Sequence, residues 1–298
     1  MGKIQGVFPP LITVFNEDST IDIDSIKKHI DFLIEKGVDG VAILGTTGEF
    51  FSLSFEEKKF LVENILAHTK NRIKVIVGVG ETNSSKAFKF IDYLEDKDIE
   101  ALLVINPYFV VYDEDTIIKY YGEICNRTSK NVLIYNFPTL SGFDFTYDVV
   151  RRIALNNNNL AGIKETVEDI KHIEKMLKIK DEKKDFSVFC AFESQAIEAL
   201  KLGVDGFINA TVNFAPEFTV NTYKYFNEGN EELTKEYFDK MNSAMKVYTY
   251  SQPLLQACKQ AVYFRVLKED KYEKLPAYSL SEEKKQELKN DLQELNIL

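Results

Sequence analysis

The feature that most constrains the fold is the regular alternation of short apolar runs with amphipathic segments along the 298-residue chain. Eight apolar runs occur, and they begin at Gly6, Gly40, Ile73, Ile99, Asn131, Leu160, Phe186 and Gly203. Near-continuous hydrophobicity over so few residues is typical of strands that are buried on both faces of a parallel sheet. The sequence therefore predicts eight buried strands.

The segments between these runs have the spacing of amphipathic helices. Residues 24–36 carry Ile26, Ile30 and Leu33 at intervals of three and four, and Gly37 follows as a natural helix stop. Ser54 is a good N-cap, because acidic residues fill the first turn that follows it. Similar helices are predicted to start near Ser84, Asp113, Thr146, Glu168 and Glu193.

Eight strands that each precede a helix predict a (β/α)8 TIM barrel, of the α/β class. A doubly wound sheet is the alternative, but the first strand lacks the GxGxxG turn and eight repeats suffice to close a barrel. After Thr211 the patterns are helical, over 216–228, 231–248, 253–267 and 281–297. We therefore expect a single domain, 1–298, with a catalytic barrel over 6–214 and a C-terminal helical extension, 215–298, packed on it.

Composition excludes several classes of function. The 47 acidic residues outnumber the 37 basic ones, and the net charge of −10 argues against nucleic acid as the main ligand. The 3 cysteines lack CxxC spacing, so neither a disulfide framework nor a zinc site is expected. No signal peptide and no apolar run of roughly 20 residues for a membrane span is visible. The expected compartment is the reducing cytoplasm, without a membrane partner.

Lys164 ends the sixth apolar run, at the strand edge where barrels carry their active sites. Because side chains alternate along a strand, Gly162, Lys164 and Thr166 share one face, whereas Ile163 and Glu165 share the other. The apolar residues of the second face suit the layer that packs against the helices, so the side chain of Lys164 is expected to point into the barrel. Burial lowers the pKa of an amine, and a neutral lysine is a nucleophile for a ketone. Taken alone, Lys164 is better explained as a solvated residue that caps a strand.

Two further strand ends carry residues suited to a keto acid. Tyr135 ends the fifth run, and its phenol could relay a proton, although a buried core tyrosine has the same pattern. The loop after the second run reads Gly45-Thr46-Thr47-Gly48-Glu49. Two hydroxyls and successive backbone N–H groups between glycines form an anion-binding nest, which suits a carboxylate. A turn that merely caps the next helix is the alternative there.

The chain offers no ligand set for a metal aldolase. His29, His68 and His172 all fall in helical patterns, where we expect them to be surface or packing residues. No HxH, HExxH or carboxylate cluster stands at a strand end, and no Ser/His/Asp arrangement is visible. We therefore expect a metal-independent enzyme that uses no cofactor.

Four motifs in this order resemble the dihydrodipicolinate synthase/N-acetylneuraminate lyase family. They are G-T-T-G-E, N-P-Y, Y-N-F-P-T-L-S-G and G-I-K-E-T, and the likeness runs from Gly6 to about Phe218. The resemblance implies a Schiff-base (class I) aldolase or lyase that makes or breaks a carbon–carbon bond next to pyruvate. It further implies that Lys164 forms the imine, Tyr135 handles protons, and Thr46, Thr47 and Gly48 hold the carboxylate. A homotetramer built as a dimer of dimers is implied as well.

Departures from the family pattern bear on the second substrate, an aldehyde. Dihydrodipicolinate synthases carry an arginine where this chain has Leu140, and a tyrosine from a neighbouring subunit where it has Phe109. Sialic acid lyases share the leucine, but they place an Asp-Glu pair where this chain has Glu193 and Ser194. They also have a serine at the position of Ala210.

The motifs look most similar to the 2-keto-3-deoxygluconate aldolase branch, whose members yield pyruvate and glyceraldehyde. Thr47, Thr166 and Glu193 are the expected partners of the aldehyde's hydroxyl groups. Dihydrodipicolinate synthase and N-acetylneuraminate lyase remain the alternatives within the family. A catalytically inactive barrel that senses keto acids is the alternative from another class, and turnover of any 2-keto-3-deoxy acid discriminates between them.

Overall fold

A computed structural model describes residues 2–298 of the chain, which form eight strands and twelve α-helices. The strands are β1 (Gly6–Val7), β2 (Gly40–Ile43), β3 (Lys74–Val79), β4 (Ala101–Ile105), β5 (Val132–Asn136), β6 (Leu160–Glu165), β7 (Ser187–Cys190) and β8 (Gly206–Phe207). The helices are α1 (Ile23–Glu35), α2 (Phe55–Thr69), α3 (Ser84–Leu94), α4 (Glu114–Arg127), α5 (Pro138–Ser141), α6 (Tyr147–Asn156), α7 (Ile170–Leu177), α8 (Ala196–Leu202), α9 (Pro216–Asn227), α10 (Glu231–Ala244), α11 (Leu255–Val262) and α12 (Glu282–Glu294).

The strands form one sheet in the order β1-β8-β7-β6-β5-β4-β3-β2. Each pairing from β3 to β8 is parallel, and a helix follows every strand. This is a (β/α)8 TIM barrel, so the predicted fold class is confirmed. All eight strands lie within the apolar runs that the sequence indicates, although each is shorter than its run.

The first strand differs most from its prediction, because only Gly6 and Val7 of the run 6–15 are strand. Pro9 and Pro10 follow at once, and proline has no N–H to donate to a neighbouring strand. Pro10 still makes an isolated parallel bridge to Ala42. The run is therefore buried as predicted, but most of it lies outside the sheet.

Helix ends follow the predicted capping chemistry. Ser54 caps α2 with a complete capping box, in which its side chain accepts from the N–H of Glu57 and the Glu57 carboxylate accepts in return. The helix predicted over 231–248 ends at Ala244, and a 3₁₀ segment, Met245–Tyr250, continues it. The helix predicted over 253–267 begins at Leu255 and closes with a π-helical turn, Tyr263–Leu267.

The chain divides into two compact units. The first unit comprises residues 2–6 and 74–208, and it holds β3 to β8 with helices α3 to α8. The second unit comprises residues 7–73 and 209–298, so it joins the N-terminal quarter to the C-terminal helices α9 to α12. The predicted boundary between barrel and extension at residues 214 and 215 stays a prediction. No helix within residues 2–298 is long and apolar enough to cross a membrane.

Candidate active site

In the first unit, the amine of Lys164 lies against the ring of Tyr135. The two residues are direct partners in the β5–β6 register, and the Lys164 Nζ is 4.1 Å from the Tyr135 ring centroid. Both side chains are almost fully enclosed, with 5% and 4% of their surface exposed. The two residues that the sequence singles out at neighbouring strand ends are therefore brought together in a site with little access to water.

Gly162 explains how β6 presents Lys164. A Cβ at this position would lie 2.2 Å from the carbonyl oxygen of Ser187 and 3.0 Å from the Cδ2 of Leu133, so only glycine fits. Gly162 pairs with Ser187 on β7 and with Leu133 on β5, one layer below the Lys164–Tyr135 pair. The close approach of the strands at Gly162 fixes the position of β6 just before Lys164.

Thr166 and Glu193 supply polar groups after β6 and β7. The N–H of Thr166 donates to the Asn136 carbonyl at 2.9 Å, which extends the β5–β6 pairing by one residue. Its Oγ1 is buried and finds no hydrogen-bond partner within residues 2–298. Glu193 begins a short 3₁₀ segment and is 2% exposed. Because a buried hydroxyl without a partner costs stability, Thr166 is suited to receive a polar ligand.

Leu140 and Phe109, the two positions that separate the branches of the family, are exposed surface residues of the single chain. Leu140 lies in the short helix α5 and is 56% exposed, whereas Phe109 has a φ of 76° and is 94% exposed. Val111 is also exposed, and its Cγ2 lies against the backbone of Gly142, so the two loops meet.

In the second unit, the Gly45–Glu49 loop is a tight turn. The N–H of Glu49 donates to the Thr46 carbonyl at 2.9 Å, and Thr13 Oγ1 donates to the Gly48 carbonyl at 2.7 Å. The N–H groups of Thr47 and Gly48 donate to no backbone carbonyl among residues 2–298. They remain available to an anion, as expected of a nest. Ala210, half-buried, opens the 3₁₀ segment Ala210–Asn213.

Glu49 links this loop to the C-terminal part of the second unit, a link that local sequence patterns do not predict. Its backbone is left-handed, with a φ of 54°, and its buried carboxylate accepts from the Lys259 Nζ at 2.8 Å. Lys259 is fully buried and donates to Glu273 at 2.5 Å as well. Burial raises the pKa of Glu273, and the nearby Lys259 opposes that shift. The Gly45–Glu49 loop is thus braced by an ion cluster.

A second polar network, buried only at Asn136 and Glu165, lies behind Lys164 and Tyr135. It consists of Asn136, Asp144, Glu165 and His172, all within the first unit. His172, expected to be a surface or packing residue, is half-buried, and its ring also contacts two carboxylates, which the sequence does not predict. His29 is a true packing residue: burial lowers its pKa to about 4, and Asn213 contributes its carbonyl as partner.

A cavity of about 440 Å³ in the second unit opens beside Glu49, between Phe51, Tyr250 and Tyr278. None of the residues predicted to bind substrate lines this cavity. Within residues 2–298, no group of three or more His, Cys, Asp or Glu side chains is arranged to hold a metal ion.

Comparison with known proteins was made at the level of families, sequences and structures. The model of the dihydrodipicolinate synthetase family matches residues 3–295. The probable 2-dehydro-3-deoxy-D-pentonate aldolase YjhH of Escherichia coli is 32% identical over 96% of this chain and 95% of its own length. The putative 2-dehydro-3-deoxy-D-gluconate aldolase YagE of the same organism is 31% identical over 98% of this chain and 97% of its own.

The structural comparison agrees with the sequence comparison. The crystal structure of YagE in complex with pyruvate, from Escherichia coli K12, superposes with a TM-score of 0.95 at 31% identity. The match covers 99% of each chain. A likeness that extends over the full length of both chains includes the strand ends that carry Lys164, Tyr135 and the Gly45–Glu49 loop.

Proposed function

The chain belongs to the dihydrodipicolinate synthetase family, whose members are class I pyruvate-dependent aldolases and lyases, and from this we propose that it cleaves a 2-keto-3-deoxy sugar acid. The first candidate substrate is 2-keto-3-deoxygluconate, which gives pyruvate and glyceraldehyde. The observation that carries the proposal is the enclosed contact between the Lys164 amine and the Tyr135 ring at adjacent strand ends.

Lys164 supplies the nucleophile. Its Nζ attacks the C2 ketone to form a carbinolamine, and loss of water from this adduct gives the imine. The protonated imine draws in the electron pair of the C3–C4 bond while the C4 hydroxyl loses its proton and becomes the aldehyde. The resulting enamine takes a proton at C3, and hydrolysis then releases pyruvate and the free lysine. Enclosure of Lys164 limits competing reactions with water.

Tyr135 is the group placed to carry protons in these steps. Its ring lies against the amine that forms the imine, and we assign the proton transfers to the hydroxyl that this ring carries. A positioned acid–base group contributes roughly 10²- to 10⁴-fold to the rate. Carbinolamine dehydration and loss of the C4 hydroxyl proton are the two steps we assign to it.

The two ends of the substrate need different partners. We assign the carboxylate to the Thr46 and Thr47 hydroxyls and to the N–H groups of Thr47 and Gly48. The sugar hydroxyls are assigned to Thr166, whose Oγ1 lacks a partner, and to the buried carboxylate of Glu193. Leu140 offers no charge to a substrate, and Ala210 offers no hydroxyl.

The five-carbon homologue of the substrate is the second candidate, because the YjhH relative is named a probable pentonate aldolase. Its cleavage would leave a two-carbon aldehyde beside pyruvate. The aldehyde released therefore identifies the substrate, whereas pyruvate is common to both. A panel of 2-keto-3-deoxy acids in a coupled pyruvate-release assay separates the two candidates, and no turnover on any member would favour a keto-acid sensor.

We further propose that the protein is a homotetramer, as the family resemblance implies. Phe109, Val110 and Val111 together with Leu140 expose large apolar side chains on the single chain, and burial against another copy would remove them from water. The molecular mass in solution, measured by light scattering, tests the assembly. A monomer at micromolar concentration would contradict it.

The imine is tested by borohydride trapping with pyruvate. We expect the intact mass to rise by one reduced pyruvate, with the adduct on Lys164, because reduction converts the imine into a stable secondary amine. Lys164→Ala should show neither the mass increase nor turnover, whereas Lys175→Ala, on the surface helix α7, should retain both. An adduct on a different lysine would exclude the assigned mechanism.

A further inference from the structure

The residues that directly follow Tyr135 and Lys164 join β5 to β6 on the opposite face of the sheet. Asn136 and Glu165 are partners in the strand register, and both are fully buried. The Asn136 Nδ2 donates to Glu165 Oε2 at 3.0 Å. Because side chains alternate along a strand, this hydrogen bond lies behind the point where the amine and the phenol ring meet.

Two residues from outside the sheet close this pair into a ring. The His172 Nδ1 lies 3.1 Å from Glu165 Oε2, and its Nε2 lies 3.3 Å from Asp144 Oδ1. The Asn136 Nδ2 also donates to Asp144 Oδ1, at 2.9 Å. The Nδ1 contact is an ion pair rather than an aligned hydrogen bond. We call Asn136, Asp144, Glu165 and His172 the polar ring.

The polar ring depends on a positive charge at His172. Burial lowers the pKa of His172, but the contacts of its ring with the Asp144 and Glu165 carboxylates outweigh it and raise the pKa to about 10. The imidazole is therefore a cation at neutral pH. His172 is the third residue of α7, and the N-terminus of a helix disfavours a cation. The helix therefore does not explain the positive charge on His172, and the two carboxylates do.

The buried carboxylate of Glu165 is the reason that a positive charge is needed at His172. Burial raises the pKa of Glu165, and its contacts with His172 and Asn136 oppose that shift. An apolar side chain in the same place would avoid the cost of burying a carboxylate, and replacing a buried ion pair by apolar residues is often neutral or stabilising. Stability alone is therefore a poor reason for a charged ring at this position.

We propose that the polar ring holds Lys164 and Tyr135 in the register that catalysis needs, with His172 as its positioning residue. The proposal rests on the function assigned above, in which Lys164 forms the imine and Tyr135 carries protons. The ring fixes the end of β5 relative to the end of β6, because Asn136 and Glu165 directly follow Tyr135 and Lys164. Misplacement by about 1 Å at a reacting centre can cost on the order of 10²-fold in rate.

The ring should affect the chemical steps more than substrate binding. None of its members belongs to the Gly45–Glu49 loop, to which we assign the carboxylate. A change at His172 should therefore lower kcat and leave the KM for the keto acid nearly unchanged. A residue that only stabilises the fold would instead lower the melting temperature without changing kcat per folded molecule.

The experiment compares His172→Gln and His172→Lys with His68→Gln in the purified full-length protein. Glutamine keeps hydrogen-bonding capacity without charge, and lysine restores the charge. His68 is the matched control, because its Nε2 also contacts a carboxylate, Asp31 at 2.9 Å, but on the surface of the second unit. Cleavage of 2-keto-3-deoxygluconate gives kcat and KM, and borohydride trapping with pyruvate gives the rate of imine formation.

We expect His172→Gln to lower kcat and the trapping rate by about tenfold or more. This loss is smaller than the roughly 10²-fold cost of misplacing a reacting group by a full ångström. The KM should stay within about twofold of the wild-type value. His172→Lys should recover most of the loss, and His68→Gln should match the wild type. Asp144→Asn alters a half-exposed side chain and should be milder, so we expect it to lower kcat by about threefold.

Two results would overturn the positioning role of His172 and leave the proposed function intact. One is imine trapping in His172→Gln as fast as in the wild type, and the other is an equal loss of kcat in the glutamine and lysine variants. If the wild type itself forms no adduct at Lys164, the proposed function fails, and the positioning role fails with it. The wild-type trapping result therefore separates the two failures.

Discussion

At the scale of single residues, Tyr135 is the clearest test of the chemistry. Tyr135→Phe removes the hydroxyl but keeps the ring against the Lys164 amine, 4.1 Å from its centroid. We expect kcat to fall by roughly 10²- to 10⁴-fold, the contribution of a positioned acid–base group, while the borohydride adduct still forms. Steady-state kinetics and intact mass measure the two effects.

Tyr147→Phe is the matched control for that variant, because it removes the hydroxyl of a tyrosine at the start of α6. It should behave as the wild type. Turnover of Tyr135→Phe near the wild-type rate would show that a water molecule or another side chain carries the proton.

Leu140 bears on the choice of aldehyde. A semialdehyde that carries a carboxylate is best bound by an arginine, since charge-assisted hydrogen bonds are about twice as strong as neutral ones. Leucine offers no such partner, and we expect glyceraldehyde to be preferred over aspartate semialdehyde by at least about tenfold in kcat/KM, or roughly 1.4 kcal/mol. Both condensations with pyruvate are measured side by side, with N-acetylmannosamine as a third acceptor.

Leu140→Arg provides the matched variant, and it should shift the preference toward aspartate semialdehyde. A wild-type preference for that semialdehyde would place the protein with the dihydrodipicolinate synthases. A preference for N-acetylmannosamine would instead assign Glu193 to a longer sugar and favour the sialic acid branch.

At the scale of secondary structure, Gly162 controls how closely β6 approaches β7. Gly162→Ala would place a Cβ 2.2 Å from the backbone carbonyl oxygen of Ser187, so the two strands must separate. Overpacking of this kind costs about 1–3 kcal/mol, and we expect the melting temperature and kcat to fall together. Lys164 stands two residues further along the same strand, which is why activity should follow stability.

Gly122→Ala is the control for the glycine substitution. Gly122 lies inside α4, and its new Cβ would meet no atom within 4 Å. Alanine is the better helix former by about 0.8–1 kcal/mol, so this variant should be more stable than the wild type. If Gly162→Ala were equally stable, the strands would have more freedom than the structure indicates.

The positions of the strands and most helix ends could be predicted from the sequence, because they depend on local patterns, whereas the roles proposed for Lys164 and Tyr135 depend on the family resemblance. Apolar runs locate the strands, capping residues such as Ser54 locate helix starts, and alternation along β6 assigns Lys164 and Glu165 to opposite faces. The polar ring could not be predicted in this way. Its members meet only after folding, since Asn136 and Glu165 lie 29 residues apart in sequence.

At the scale of the whole molecule, the Lys259 cluster connects distant parts of the chain. Lys259→Met removes a fully buried cation and leaves the carboxylates of Glu49 and Glu273 without it. Breaking a buried ion pair in this way costs about 3–5 kcal/mol, and we expect an unfolding free energy lower by that amount in denaturant titration. Because Glu49 ends the loop proposed to bind the substrate carboxylate, the KM for the keto acid should rise as well.

The surface pair of Lys235 and Asp239 provides the control, because Lys235→Met removes a cation from an exposed contact of 2.6 Å. Exposed pairs contribute about 0–1 kcal/mol, so this variant should melt close to the wild type. Combining Lys259→Met with Glu49→Gln should recover part of the loss. Equal stability of Lys259→Met and Lys235→Met would show that the buried cluster contributes little.

The Lys259–Glu49 contact also has a consequence for protein synthesis. Its partners are 210 residues apart, so at roughly 5–20 residues per second about 10–40 s separate their emergence from a translating ribosome. Residues 74–208 of the first unit emerge during this interval and can begin to fold. Until Lys259 arrives, the Glu49 carboxylate stays hydrated and the Gly45–Glu49 turn lacks its brace. A nascent chain that stalls before Lys259 would therefore carry Lys164, the proposed nucleophile, before the loop proposed to bind the carboxylate has its brace.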